Sequence, residues 1–230
     1  MMTRMERLSV IIPALDAAAG LGDVIDRLTC GGAAPGEIIV VDGGSADGTT
    51  DVARSGGAIV LSARRGRGIQ MAAGAAAAKG DWFLFLHADT VPGSAWRKAA
   101  ADLMAGPGGR RQAGVFRFRL DDPAPWARCV EWCARCRSRL LGLPYGDQGL
   151  LISAEFYESL GGFRPMVIME DVDMVRRIGR RRLITLDCDA HTSAVRYRRA
   201  GYGIRVVRNA FCLACYFCGV PPSLIARMYG

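Results

Sequence analysis

Glu37-Ile38-Ile39-Val40-Val41-Asp42-Gly43-Gly44-Ser45-Ala46-Asp47-Gly48-Thr49 is the stretch on which the fold turns. Ile38 to Val41 form an unbroken apolar, β-branched run, the mark of a strand buried on both faces. The run stops at an acid and two glycines, whose backbone freedom permits a tight turn and a close approach to a ligand. Ser45 and Asp47 are then placed to cap a helix over residues 49–54. Such a strand belongs to a parallel sheet, in which ligands bind at the carboxyl ends of the strands.

The same alternation extends to both sides. Residues 8–12 are a short apolar run closed by Pro13, and Leu21, Val24, Ile25 and Leu28 follow at helical spacing. Residues 58–61 read as extended and the alanine-rich residues 69–78 as a helix. Residues 82–86 form a strand that stops at His87-Ala88-Asp89. Strand and helix in alternation predict a parallel sheet covered on both faces. The second half changes character. Residues 106–111 are a loop, 114–120 a strand with Arg117 and Arg119 on a wet face, 126–141 a helix, and 171–181 a short helix with a basic end. His191 follows Asp187 and Asp189 on a further strand. These features predict a mixed sheet continuous with the first, in one domain over residues 1–200, and then a C-terminal helical segment, 201–230.

Composition narrows the partners. A chain of 230 residues, half of them apolar, can build one large α/β domain and is not disordered. Thirty Lys and Arg against 22 Asp and Glu give a net charge of +8, and only Lys79 and Lys98 are lysines. Arginine grips carboxylates and phosphates bidentately, so a nucleotide, a nucleic acid or an anionic membrane suits the balance. The arginines of 180–182 and 196–199 come without a nucleic-acid-binding motif, so nucleic acid is not the expected partner. With no signal-peptide pattern, the eight cysteines are read as reduced thiols, and the protein as cytoplasmic or peripheral at the inner membrane face. Cys129, Cys133 and Cys136 share one helix face, as do Cys212, Cys215 and Cys218. The first set is expected in the core rather than on a metal, and the second in the core or on a membrane-facing patch. The large apolar groups of 201–230, flanked by Arg205, Arg208 and Arg227, predict a helix pair. It packs on the domain, on a membrane surface or on another copy of the chain, but does not span.

The chemistry is expected at the strand ends. Asp89 can hold Mg²⁺ or Mn²⁺ through hard oxygen, and the ion in turn a diphosphate. His191 is a candidate further ligand, or a histidine satisfied within the fold.

Taken in order, Val10-Ile11-Ile12-Pro13, the stretch from Val40 to Thr49, Arg64-Arg65-Gly66-Arg67-Gly68, Phe85-Leu86-His87-Ala88-Asp89, Gly161-Gly162-Phe163 and Glu170-Asp171-Val172-Asp173 resemble the family 2 glycosyltransferases over residues 8–200. Arg64 to Met71, Leu86 to Thr90 and Tyr145-Gly146-Asp147-Gln148-Gly149 look like one bacterial subgroup, associated with radical-SAM and selenium-related genes. The resemblance implies a GT-A-like single α/β domain with a mostly parallel central sheet flanked by helices. It also implies an inverting transfer of sugar from a nucleotide-diphosphate donor, usually UDP-linked, to a small-molecule or lipid hydroxyl, assisted by Mn²⁺ or Mg²⁺. Pro13 and Asp42 would hold the base, Arg64 and Arg67 the phosphates, and Asp89 the metal with His87 beside it. Asp171 would be the general base, with Asp147, Gln148 and Glu170 on the acceptor side. The chain departs from the family where His87 replaces the first acid of Asp-x-Asp, where Asp16-Ala17 stands for the usual Asn-Glu, and where Val195 precedes Arg196. Two other readings are a nucleotidyltransferase of the same fold and an inactive nucleotide- or partner-binding protein. The first expects a glycine- and lysine-rich loop where Pro13-Ala14-Leu15-Asp16 stands.

Overall fold

Strand β1 spans Leu8–Ala14, and all seven of its residues are buried. Successive side chains of a strand point to opposite faces, so Leu8, Val10 and Ile12 enter one core and Ile11 the other. A covering layer on each side is what makes the apolar run continuous rather than alternating. The computed structural model describes residues 3–229; Met1, Met2 and Gly230, at the ends of segments 1–200 and 201–230, lie outside the described residues.

Eight strands form one sheet. β2 (Glu37–Asp42), β3 (Ile59–Ser62) and β4 (Trp82–Phe85) lie parallel to β1. β5 (Thr90–Pro92), β6 (Ala113–Leu120), β7 (Leu150–Ser153) and β8 (Leu183–Thr192) complete the order β3-β2-β1-β4-β7-β6-β8-β5. Only β7 and β5 run against the others, so the sheet is mostly parallel and mixed in its second half, as expected. Helices α1 (Ala18–Thr29), α2 (Thr49–Ser55) and α4 (Trp96–Ala105) cover one face. Helices α3 (Arg67–Ala77), α6 (Ala154–Ser159) and α7 (Glu170–Ile178) cover the other. Gly74 lets α3 lie close on the strands: a Cβ there would come within 2.5 Å of Ile11 Cγ2 and 3.0 Å of Val41 Cγ2.

The turn after β2 meets the expected cap in part. Gly48 occupies the N-cap of α2, but the Asp47 carboxylate accepts from the Thr49 amide, the first of the helix, at 3.0 Å. The side chains of Ser45 and Asp47 also bind the turns after β1 and β2 together. Ser45 Oγ donates to Asp42 at 2.5 Å and accepts from the Asp16 amide at 2.9 Å. Asp16 Oδ1 accepts from the Ala46 amide at 2.9 Å, and Asp47 from the Ala18 amide at 3.0 Å. Asp16 adopts a left-handed φ of 47°, which aspartate tolerates better than most residues.

Helix α5 (Pro125–Cys136) continues as a π turn over Arg137–Leu141. Its buried positions are Ala127, Val130, Glu131 and Ala134, so Cys129 and Cys133 face outward rather than into the core. Two small alanines allow α5 close to Phe118 and Leu120 of β6, and Glu131 meets Arg119 there at 2.8 Å. Periodicity marks a stripe of cysteines, but it does not say which stripe meets a partner. Helices α8 (Val195–Ala200), α9 (Tyr202–Phe217) and α10 (Pro222–Tyr229) end the chain. Cys212 and Ile225 are fully buried among Leu143, Val172 and Val175. Among the described residues no helix is long and apolar enough to cross a membrane.

Candidate active site

The chain beyond β4, the turn before β7, the start of α7 and the inner side of α9 converge on a cleft that is open to solvent. The residue after β4 is Leu86, then His87-Ala88-Asp89, so both polar side chains arrive at the strand's carboxyl end. The Ser193 amide donates to the Asp89 carbonyl at 3.1 Å, and Thr90 and Thr192 share a buried hydroxyl contact of 3.0 Å. These bonds join the segment after β4 to the end of β8. They also bring Arg196 Nη2 to 3.8 Å from Asp89 Oδ2.

His87 Nε2 is shut off from water and has no hydrogen-bond partner. Burial, with the Arg67 charge as a smaller cause, pushes the imidazole down to about 4, so the ring is neutral near pH 7. A Cβ at position 146 would stand 2.5 Å from that nitrogen, so only glycine allows this approach. Asp171 Oδ2 accepts from the Gly146 amide at 2.7 Å, and Oδ1 accepts from the Val172 amide at 2.7 Å. Asp171 lies in the first turn of α7. Asp147 is pushed up to about 6 by burial, and its Oδ1 has no partner.

The donor set fits a divalent cation. Asp89 offers a carboxylate to the cleft, and the orphaned Nε2 of neutral His87 offers a lone pair. Among the described residues no three His, Cys, Asp or Glu side chains gather closely enough to hold an ion unaided. An ion here would complete its shell with diphosphate oxygens and water, as Mg²⁺ sites commonly do.

Residues 9–142, more than half of the chain, match the family model described as Glycosyl transferase family 2. The chain belongs to glycosyl transferase family 2. Solved structures agree in fold. Glucosyl-3-phosphoglycerate synthase from Mycobacterium tuberculosis, in complex with Mn²⁺, UDP and glucosyl-3-phosphoglycerate, superposes with a TM-score of 0.62 at 23% identity; the match covers 93% of this chain and 80% of that one. The same enzyme with Mg²⁺ and UDP gives 0.59 at 24%, covering 84% and 74%. With Mn²⁺, UDP-glucose and phosphoglyceric acid it gives 0.58 at 25%, covering 81% and 69%. No curated protein sequence matches the chain.

In this glycosyltransferase Arg67, His87, Asp89, Asp147 and Asp171 line one cleft, although 104 positions separate the first from the last (171 − 67). Other expected site residues lie elsewhere. Pro13 and Asp42 are buried at the ends of β1 and β2, outside the cleft lining. The Asp42 carboxylate accepts from the Gly44 and Ser45 amides and from Ser45 Oγ, and so anchors its own loop. Arg64 is exposed and does not reach the cleft, whereas Arg67, at the first turn of α3, does. Gln148 does not face an acceptor: its amide donates to the Phe116 carbonyl at 2.9 Å and accepts from Ser138 Oγ at 2.8 Å. His191 is no metal ligand of this cleft. Thr192 turns inward, so the period of two along β8 sends His191 outward, where it is exposed next to Arg119 in the register.

Sequence reasoning missed residues on the far wall. Arg196, Tyr197, Arg205 and Asn209 line the cleft from α8 and α9. The one signal in the sequence is polarity: Arg205 and Asn209 stand four apart on one face of α9, whose other charged residue is Arg208. Gln70 was missed too. Its buried amide donates to the Ala14 and Val41 carbonyls, both at 2.8 Å, and ties the ends of β1 and β2 to α3.

Glu170 is fully enclosed next to the cleft. Neither oxygen has a hydrogen bond, and the cation that faces it is Arg67, with Nη1 at 3.8 Å. Burial raises the carboxyl to about 7 against an ordinary 4.5, with Arg67 opposing the rise. A raised pKa means that the folded chain binds this proton more tightly than the unfolded one. The contribution is therefore complete below pH 4.5 and lost as the pH rises through 7, about 3 kcal/mol in all. Glu170→Gln removes this titration. Melting of the ligand-free protein should show the variant gaining on the wild type between pH 4.5 and 7, by several degrees at pH 8. Parallel curves for the two proteins would sink this account. Comparing them also cancels Asp147, which titrates in the same direction.

Proposed function

We propose that the chain is an inverting glycosyltransferase that moves a sugar, a hexose in the first instance, from a UDP-linked donor to the hydroxyl of a small-molecule or lipid acceptor. The observation that carries this reading is the meeting of Asp89, His87, Arg67 and Asp171 in one cleft. The similar structures crystallised with UDP and Mn²⁺ or Mg²⁺ support the donor class and the metal. Within the family, Arg64 to Met71, Leu86 to Thr90 and Tyr145 to Gly149 support the bacterial subgroup associated with radical-SAM and selenium-related genes.

Asp89 and His87 would hold Mn²⁺ or Mg²⁺, which supplies positive charge to the departing diphosphate. Arg67 and Arg196 add guanidinium donors on the same cleft. Asp171 accepts the acceptor's proton. The acceptor oxygen forms its bond to the anomeric carbon as the bond from that carbon to the β-phosphate oxygen breaks, and the electron pair leaves with UDP. A single displacement of this kind inverts the centre. The Gly146 amide holds Asp171 Oδ2 in place at 2.7 Å. Asp147 and Glu170 belong to the acceptor side in this reading; Pro13, Asp42 and Arg64 lie outside the cleft lining and would meet the base and phosphates only of a donor that reaches beyond it.

The experiment is a donor screen without acceptor, following slow hydrolysis of nucleotide sugars with Mn²⁺ or Mg²⁺. UDP-sugars should be cleaved faster than other nucleotide sugars, and chelator should stop cleavage. No cleavage and no UDP binding would leave the inactive-scaffold reading in its place.

A further inference from the structure

The outward side of α9 is inverted in polarity. Every exposed residue of this helix is apolar, the largest being Ile204 at 69%, Val207 at 68%, Phe211 at 57% and Phe217 at 49% exposure. Arg205 and Asn209 of the same helix turn inward to the cleft. Helix α5 lies beside it: Tyr202 and Val206 of α9 pack on the cluster that contains Ala127 and Val130. From α5 Trp126 and Trp132 stand 69% and 64% exposed, and the π turn adds Leu140 and Leu141. Of the thirteen large apolar side chains exposed among the described residues, only Ile59 and Val167 lie outside residues 126–141 and 195–228. One surface region thus carries nearly all the unburied apolar bulk, more than scattered surface residues explain.

The charge around it is mainly basic: of the two acids just before α5, Asp122 is taken up by Tyr202 Oη at 2.8 Å and Arg198 at 3.4 Å, and Asp121 is exposed. Residues 190–230 hold six arginines and no Asp or Glu. Over 125–141 the one acid is Glu131, which is buried against Arg119 and Arg128. We infer that α5 and α9 form a docking face for an anionic membrane surface, on which the chain lies without spanning. Apolar side chains entering the acyl boundary, arginines meeting the headgroups and tryptophans at the interface are what such a surface selects. A second copy would set one arginine rim against another, which like charges oppose. The inference goes beyond the transferase reading and does not depend on it. It places the cleft, whose wall is the inner side of α9, next to the lipid plane.

Flotation of the full chain with vesicles tests it. Vesicles of phosphatidylcholine mixed with phosphatidylglycerol should carry the protein up the gradient, and vesicles of phosphatidylcholine alone should not. High salt should release it. Val207→Ser with Phe211→Ser should lower the bound fraction by about tenfold or more, and Trp126→Ser with Trp132→Ser should act likewise. All four sites are exposed, so UDP binding by both variants should match the wild type and report separately on the cleft. Failure of the wild type to float with anionic vesicles would overturn the inference, as would equal flotation of wild type and variants. Sedimentation showing a dimer that the same substitutions dissociate would assign the face to a second copy instead.

Discussion

Asp171→Asn is expected to slow sugar transfer by about 10²- to 10⁴-fold, the usual contribution of a positioned general base. Asparagine keeps the size of the side chain, and its carbonyl oxygen can still accept from the Gly146 amide, which now holds Oδ2 at 2.7 Å. What disappears is the basic oxygen that takes the acceptor's proton. The loss should fall on kcat and on kcat/KM together, since the group acts in the transition state. UDP binding in the presence of Mn²⁺ should stay within about twofold of the wild type, because no donor contact changes. Transfer assays and calorimetry on the same preparation check both halves. Transfer at wild-type rate in Asp171→Asn would move the role to Asp147, the other carboxylate on this side of the cleft.

Asp89→Ala should act on the opposite half of the reaction. Asp89 presents its carboxylate to the cleft from the segment after β4, close to Arg196 and joined through its carbonyl to the Ser193 amide. Without that oxygen the cation has only the His87 nitrogen from the protein. Mn²⁺-dependent UDP affinity should fall by about 10²-fold or more, in line with the several kcal/mol that a bound metal supplies to phosphate charge. The fold should survive, since a partly exposed side chain is lost and the carbonyl bond to Ser193 stays. The measurement is UDP titration with and without Mn²⁺. If Asp89→Ala binds UDP as the wild type does, and with the same metal dependence, the site does not hold the ion through this residue.

Much of the first half of the chain is legible in the sequence. The buried strands at residues 8–12, 37–41 and 82–86 and the helix with Leu21, Val24, Ile25 and Leu28 are where the apolar periods place them. The polar residues that end those strands are legible as well, including His87 and Asp89. The far wall of the cleft is not. Residues 9–142 match the family model; beyond that stretch Gly146 and Asp171 were legible only through short motifs, and the cleft positions of Arg196 and Arg205 were not. Their place depends on how β7, α7 and α9 come back across the sheet.

Local pattern sets which residues pair within one turn of helix or one period of strand, because those contacts lie a few residues apart. From this follow the parallel sheet, the loop chemistry of Asp42 to Thr49, and an acid and an imidazole at the end of one strand. Which of several candidate faces is covered is a contact between distant segments, and the chain order does not contain it. So Cys129 and Cys133 turned outward because the side with Ala127 and Ala134 fits β6. His191 turned away because Thr192 meets Thr90 across 102 positions. Burial of the His87 ring, with Gly146 close against Nε2, pushes its imidazole down to about 4. Burial and long-range pairing decided each of these, and both exist only once the chain has folded.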